Sequence, residues 1–484
     1  MAFSYFNAYY TNMNTHDINI LHEWLGDKGI ITDEKESAPY TQGWRGNIGK
    51  CAAVLRPTST KDVSRIISYC ARRKIHLIPQ SGNTGLVGGS IPDDSGTQVI
   101  LSFDRMNEIK DIDPANKSIS VQAGVRMSAL NNVLEEHGLF FPIDISADPC
   151  IGGMIATNTG GARYMKYRGV REHLLGIKAV LADKHGTIID TMIPLHKNNT
   201  GLDIKQLFVG TGGIFGVITE ASLLLSQLPK QSATALLIPR DKNDINELLI
   251  SLEQKCGQSL SAFEGMSGNA IKAVLKHSPS LTNPFGNDEI PDYAILMEIT
   301  RDWEEREGEQ SLDDVLELIL EEVWKDSRTP LDNALIGAPE KLWALRHALS
   351  EGVQKSGKQL FAFDISFKRS DVMRFISFME GMLKNEYPEL TICDFGHIGD
   401  GAVHFNLVLK KNSRKTKKDE YESELRSLVT DIVVNNYGGS FSAEHGIGRK
   451  NQKFYDLYTP EEIKAVTRAI KGAIAPVDIG AIKV

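Results

Sequence analysis

The chain has 484 residues against the ~100–200 of an ordinary domain, so two or three domains are expected. Its 41% apolar and 24% charged residues exclude a disordered chain, and its 42 glycines follow no triplet period, which excludes collagen. A formal charge of -8 leaves the molecule as a whole without the basic footprint that nucleic acid requires.

Met1 to Asp17 is polar and aromatic, without the basic-then-apolar order of a signal peptide and without the arginines of a transit peptide. No run approaches the ~18 apolar residues of a membrane span. The five cysteines, Cys51, Cys70, Cys150, Cys256 and Cys393, are scattered and form no C-x-x-C pair. A reducing compartment is expected, and a disulfide framework or cysteine metal site is not. The expectation is a cytoplasmic protein, at most peripheral to a membrane.

Residues 1–47 read as a helical lead-in, with Ile18, Leu21, Leu25 and Ile30 on one face and Gly26 and Gly29 near its end. Cys51 to Leu55 reads as a strand stopped by Pro57. Thr58 or Ser59 then caps a helix through Val63, Ile66, Ile67 and Cys70. Leu77 to Pro79, Val99 to Ser102, Ser118 to Val121 and Ile177 to Leu181 are β-like, with helix-like stretches between them. A boundary falls near Leu228-Pro229, after a strand from Val217 to Leu225, and a more helical half follows. There Leu312, Val315, Leu316, Ile319, Leu320 and Val323 form one apolar stripe, read as core packing. The basic run Lys410, Lys411, Arg414, Lys415, Lys417, Lys418 reads as a solvated loop or helix start, with docking to an electron-acceptor protein or a membrane surface as the alternative.

Three glycine-rich segments stand out in the first half: PQSGNTGLVGGS from Pro79 to Ser90, CIGGMIATNTGG from Cys150 to Gly161, and FVGTGGIFGVIT from Phe208 to Thr219. Glycines at this density let consecutive N–H groups converge on an anion such as a pyrophosphate. None gives the nicotinamide dinucleotide fingerprint, since the sixth place counted from Gly210 is Phe215 and a strand follows.

These three ordered segments resemble the FAD-binding segments of the vanillyl-alcohol oxidase/p-cresol methylhydroxylase flavoproteins, and within them the D-2-hydroxyglutarate and D-lactate dehydrogenases. The resemblance implies an α+β fold: a two-subdomain PCMH-type FAD-binding domain over 48–228, followed by an α+β substrate and cap domain over 229–484. It implies FAD contacts from Pro79, Gln80, Ser81, Gly82, Asn83, Thr84, Gly85, Gly89 and Ser90, from Gly152, Gly153, Thr157, Asn158, Gly160 and Gly161, and from Gly212, Gly216 and Ile218. Relatives that bind FAD covalently use a histidine near the first segment. None stands here, so non-covalent FAD is expected.

Two motifs carry chemistry in the second half, GHIGDGAVHFN from Gly396 to Asn406 and SAEHGIG from Ser442 to Gly448. His397 and His404 suit a strand–turn–strand that brings two imidazoles together. By spacing alone they serve either a divalent metal with a glutamate or buried hydrogen bonds. The resemblance implies His397, His404 and Glu444 as ligands of a divalent metal, zinc first, with Asn406 on the substrate and His445 as base. It also makes Arg346 and Ser350, four apart in LWALRHALSE, a clamp for the substrate carboxylate, where the residues alone leave Arg346 free to be a surface ion-pair residue.

The implied activity is oxidation of a D-2-hydroxy acid, D-2-hydroxyglutarate first and D-lactate next, by hydride transfer to flavin. A flavin-dependent transferase of the alkylglycerone-phosphate synthase branch is the rival, and a non-catalytic flavin or metal scaffold a second. The electron acceptor is an electron-transfer flavoprotein or a quinone, and a homodimer is compatible with the reading. Three departures bear on the acid. Ala362-Phe363 stands where hydroxyglutarate-type relatives carry a lysine just before Asp364-Ile365-Ser366, Ala402 where asparagine is common, and the tail from Ala475 to Gly480 lacks the usual Asn-Pro-Gly.

Overall fold

Four short strands open the fold: Ile30–Ile31, Ala53–Leu55, Val99–Ser102 and Leu77–Gln80 lie in that order, the last three parallel. The structure is a computed structural model that describes residues 10–44, 46, 48–286, 288–326, 328–411, 413 and 418–484, with the backbone alone for 418–420. Met1 to Ala8 of the lead-in, Tyr9, and Arg414, Lys415 and Lys417 of the basic run lie outside the described residues.

The helix Thr60–Arg73 covers the first sheet. The Ser59 hydroxyl accepts from the Asp62 N–H at its start, and Lys74 ends it in the left-handed conformation. Its buried face is Val63, Ile66, Ile67 and Cys70, as the periodicity predicts. A second sheet of five antiparallel strands follows in the order Ile109–Asp113, Ser118–Gln122, Gly216–Leu224, Leu174–Leu181, Ile188–Asp190. Both sheets face one core that includes Leu55, Ile66, Val99, Val121, Val180 and Leu223.

Two segments expected elsewhere join this body. The lead-in forms the helices Thr15–Leu25 and Glu34–Thr41, but it also adds the strand Ile30–Ile31 to the first sheet and Leu21 to the core. The C-terminal tail returns from the second half: Val477 N donates to Ala182 O, Gly480 N donates to Leu77 O, and Ala475 and Ile479 are buried in the same core. Apolar tail residues reach water exclusion only by docking on the first domain.

The second half is built on an eight-stranded antiparallel sheet, where the sequence suggested mainly helix. Its central strands Leu260–Ser267 and Tyr293–Arg301 are buried along nearly their whole length. Strands covered on both faces carry no polar–apolar alternation, which is why they escape a periodicity search. One face packs Leu248, Leu252, Leu316, Phe375 and Leu425; the other packs Ile271, Val274, Leu345 and Leu349. The stripe in Leu312–Lys325 is core as predicted, with Leu312, Leu316, Leu320 and Val323 buried.

Within this sheet Asp394 is sealed from water, and among the described residues neither carboxylate oxygen finds a hydrogen-bond partner. Burial pushes its carboxyl up to about 6 from 3.8. The unfolded chain ionises this group first, so the folded state loses stability as pH rises from about 4 to about 6 and no more above that. Asp394→Asn removes the titration. Its gain in unfolding free energy over wild type, measured by chemical denaturation at each pH, should grow across that window by about 3 kcal/mol and then level off. A constant offset at every pH would overturn the assignment.

Candidate active site

A cavity of about 870 Å³ runs between the two halves. On the first side it is lined by the strand end Pro79-Gln80 and by Ser81 to Val87, Gly89 and Ser90. None of the backbone N–H groups of 82–89 donates to a protein acceptor among the described residues. That is the free donor set an anion cradle needs. The second glycine segment is a helix, Ile151–Thr157, rather than a loop. Its glycines are there for close approach: a Cβ on Gly152 would lie 2.7 Å from Ala123 Cβ, and one on Gly153 2.7 Å from Ser81 Oγ. Gly212, Gly216 and Ile218 of the third segment also line the cavity. Size, free donors and a wall thinned to backbone fit a dinucleotide such as FAD.

Of the cofactor residues expected from the sequence, Asn158, Gly160 and Gly161 are off the cavity wall. Asn158 ends the helix in the left-handed conformation. Gly160 backs the carboxylate of Glu444, where a Cβ would lie 3.3 Å from Oε2, and Gly161 admits the Asp144 carbonyl. The others line it, together with Ile482 of the returning tail, which the sequence did not single out.

The second-half motifs meet the same cavity. Phe395–Gly396, a turn and Ala402–Leu409 form the expected strand–turn–strand. Antiparallel pairing with Gln359–Ser366 sets Asp364 opposite His404 and Ala362 opposite Asn406. The SAEHGIG segment has no regular structure; Asp364 pins it, its Oδ2 accepting from Glu444 N at 3.0 Å and His445 N at 2.8 Å. Asp364 Oδ1 is buried and without a hydrogen-bond partner among the described residues, and His404 Nδ1 lies 3.8 Å from it.

The result is a tight cluster. The Nε2 atoms of His397, His404 and His445 each lie 3.8 Å from Glu444 Oε1. Asp364, His404, Glu444 and His445 offer ligand atoms within 4.8 Å of one another. Imidazole and carboxylate donors in this number fit a divalent cation of the zinc kind. His397 turns its Nδ1 to Glu264 Oε1 at 2.8 Å, which directs Nε2 into the cluster.

Glu264 is the residue the sequence missed. It is 1% exposed, and Arg346 donates to its other oxygen from Nε at 2.9 Å and approaches it through Nη2 at 2.6 Å. Arg346 is therefore neither a surface ion-pair residue nor an unpaired clamp. Its Nη1 keeps no hydrogen bond among the described residues, and both Arg346 and Ser350 line the cavity. The only signal for Glu264 was a lone carboxylate inside an apolar strand.

Electrostatics within the cluster diverge. Burial works against the His397 imidazolium, but the Glu264 and Glu444 carboxylates outweigh it and raise its pKa. His404 is pushed down by burial and by the neighbouring His397 charge. Burial opposes ionisation of Glu264, yet His397 and Arg346 hold it well below the usual carboxylate range.

Comparison with known proteins agrees with this geometry. Residues 51–191 match the FAD binding domain family, and residues 228–480 match the C-terminal domain of FAD linked oxidases. The chain belongs to the FAD-linked oxidases. It is 30% identical to the mitochondrial D-2-hydroxyglutarate dehydrogenase of Arabidopsis thaliana, over 97% of this chain and 81% of that one. It is 31% identical to a putative mitochondrial D-lactate dehydrogenase of Schizosaccharomyces pombe, over 96% and 89%. Substrate-bound p-cresol methylhydroxylase shares the fold, with TM-score 0.71 at 16% identity over 96% of each chain.

The chain is thus an FAD-dependent oxidoreductase of the expected α+β class. The cytoplasmic expectation is overturned, because these relatives are named mitochondrial. The scattered unpaired cysteines behind that expectation report reducing surroundings, which do not single out the cytoplasm. Among the described residues no helix is long and apolar enough to cross a membrane.

Filling the gap beside Ser81 should disrupt the cradle. Gly153→Val should purify with ~tenfold less FAD per chain, measured as flavin released by acid, while the far-ultraviolet circular dichroism stays that of the wild type.

Proposed function

We propose that this FAD-linked oxidase oxidises a D-2-hydroxy acid to the 2-oxo acid, with D-2-hydroxyglutarate the first substrate. The observation that carries this reading is the cluster of His397, His404, His445 and Glu444 at the wall of the flavin-sized cavity, beside Arg346 and Ser350. The names of the Arabidopsis and fission-yeast relatives support it. FAD would be held without a covalent bond by the glycine segments, and a divalent cation, zinc first, by His397, His404 and Glu444. When bound, FAD supplies a two-electron acceptor for the hydride on C2, and the cation supplies a Lewis acid that makes the substrate hydroxyl more acidic.

The chain's own residues do the rest. Arg346, its Nε and Nη2 spent on Glu264, offers Nη1 to the substrate carboxylate, with Ser350 one helical turn away. His445 turns Nδ1 toward Asp364 Oδ2 at 3.4 Å, which leaves Nε2 to take the hydroxyl proton. Asn406 spends its amide hydrogens on the His404 and Cys393 carbonyls, so its role is to hold the substrate-facing strand and present its remaining oxygen. Reoxidation of the flavin falls to a separate electron-transfer flavoprotein or quinone.

One observation favours a smaller acid such as D-lactate. Ala362 lines the cavity beside Asn406 and offers no charge to a second carboxylate. Anaerobic addition of a panel of acids decides between them: D- but not L-2-hydroxy acids should bleach the flavin absorbance, the five-carbon diacid more readily than lactate. No bleaching by any D-acid would refute the activity, and bleaching by lactate alone would favour the second substrate.

Two substitutions separate the roles within the cluster. His445→Ala should lower kcat by ~100-fold or more while FAD and metal content remain. His404→Ala should abolish the bound divalent ion by elemental analysis, and undiminished occupancy would sink the ligand assignment.

A further inference from the structure

The helix Pro339–Ser356, which presents Arg346 and Ser350, lies over one face of the eight-stranded sheet. Beneath it are two buried glutamates on neighbouring strands. Ala262 pairs with Glu298 and Glu264 with Leu296, so both carboxylates emerge on the face that the helix covers. Glu264 takes Arg346. Glu298, 1% exposed, takes Trp343 three residues earlier on the same helical side, the indole Nε1 donating to Oε2 at 2.7 Å.

Glu298 also reaches across the molecule. Arg163, from the flavin-binding half, donates to it from Nε at 2.7 Å and from Nη2 at 2.9 Å. The third nitrogen of Arg163, Nη1, lies 2.5 Å from Asp144 Oδ2, and Asp144 lines the cavity. The guanidinium also stacks 4.7 Å from the Trp343 ring, and Ser261 Oγ donates to Glu298 Oε1 at 2.6 Å. Every strong partner of this carboxylate is thus a side chain fixed on a different element.

We propose that Glu298 is a positioning residue: through Trp343 it sets the rotation and height of the helix that carries Arg346 and Ser350, and through Arg163 it refers that setting to the flavin-binding domain. This rests on Arg346 and Ser350 as the carboxylate-binding pair. A helix turns by about 100° per residue, so a small rotation about its axis at Trp343 carries Arg346 away from Glu264 and Ser350 away from the cavity. The bidentate Arg163 contact resists that rotation, because a planar fork fixes direction as well as distance.

The mildest perturbation is Trp343→Phe, which keeps the ring under Arg163 and removes the single N–H donor. It should raise KM for the hydroxy acid ~tenfold, with kcat, FAD content and metal content each within about twofold of wild type. Backbone hydrogen exchange should quicken across 339–356 and stay unchanged in the other helices. Arg163→Lys, with charge but no fork, should fall between wild type and Arg163→Met in KM. Unaltered KM and exchange in Trp343→Phe would overturn the proposal. So would an equal loss of KM, kcat, FAD and melting temperature, which marks a merely structural contact. If no D-2-hydroxy acid reduces the wild-type flavin, the assigned activity fails, and the exchange measurement still decides the role of Glu298.

Discussion

The second half of the molecule turns on one carboxylate held out of water. Glu264 meets Arg346 on one oxygen and His397 on the other, and each contact answers the cost of burying the charge. Taking away one partner of such a group costs ~3–5 kcal/mol, since the remaining charge is stranded in a medium that cannot solvate it. The helix that carries Arg346 and the turn that carries His397 are therefore fixed relative to each other before substrate or cation arrives. A rigid pair of this kind lets the substrate acid group and its hydroxyl be held from two directions without reordering either.

The two halves are joined at equally short range by the motif that holds Glu444 and His445. Immediately after them, Gly448 lies so close to the first glycine segment that a Cβ would be 2.5 Å from Val87 O. Lys450 N donates to that same carbonyl, and Arg449 crosses to Ile91 O at 3.0 Å and to Gln98 at 3.1 Å. The proposed base and the proposed pyrophosphate cradle are thus parts of one contact. This explains the grouping of glycines along the chain, with nineteen from Gly82 to Gly216 and seven from Gly396 to Gly448. Many of them mark places where backbone must meet backbone.

What the sequence showed and what it hid follow from this geometry. The roles proposed for these residues rest on the family resemblance, but the residues themselves stand out through local pattern: glycines frame His397, His404, Glu444 and His445, and Arg346 and Ser350 lie four apart. Most of the glycine segments were legible for the same reason. That Ile151–Thr157 forms a helix does not show in the sequence, because paired glycines are poor helix formers and the packing against Ala123 that demands helix is a tertiary fact. Glu264 and Glu298 were invisible as functional groups. Each is a single carboxylate in an apolar strand, and its meaning lies in partners 82 and 135 residues away. The returning tail, with Ile482 at the cavity, was hidden likewise, since its partners belong to the other half.

Two buried glutamates on adjacent strands beneath one helix would be a poor way to gain stability, because apolar residues of similar volume do as well or better. Their value is directional. An apolar contact tolerates sliding by fractions of a turn, whereas a carboxylate that must satisfy an indole on one side and a guanidinium on the other has few acceptable positions. Glu298 looks toward the flavin-binding half through Arg163, and Glu264 toward the histidine cluster through His397. The helix between them gives one hydrogen-bond donor to each, Trp343 to Glu298 and Arg346 to Glu264, about one turn apart. Its placement is thereby set from both sides of the cavity at once. A substrate lying between a hydride acceptor and a proton acceptor needs both distances fixed together.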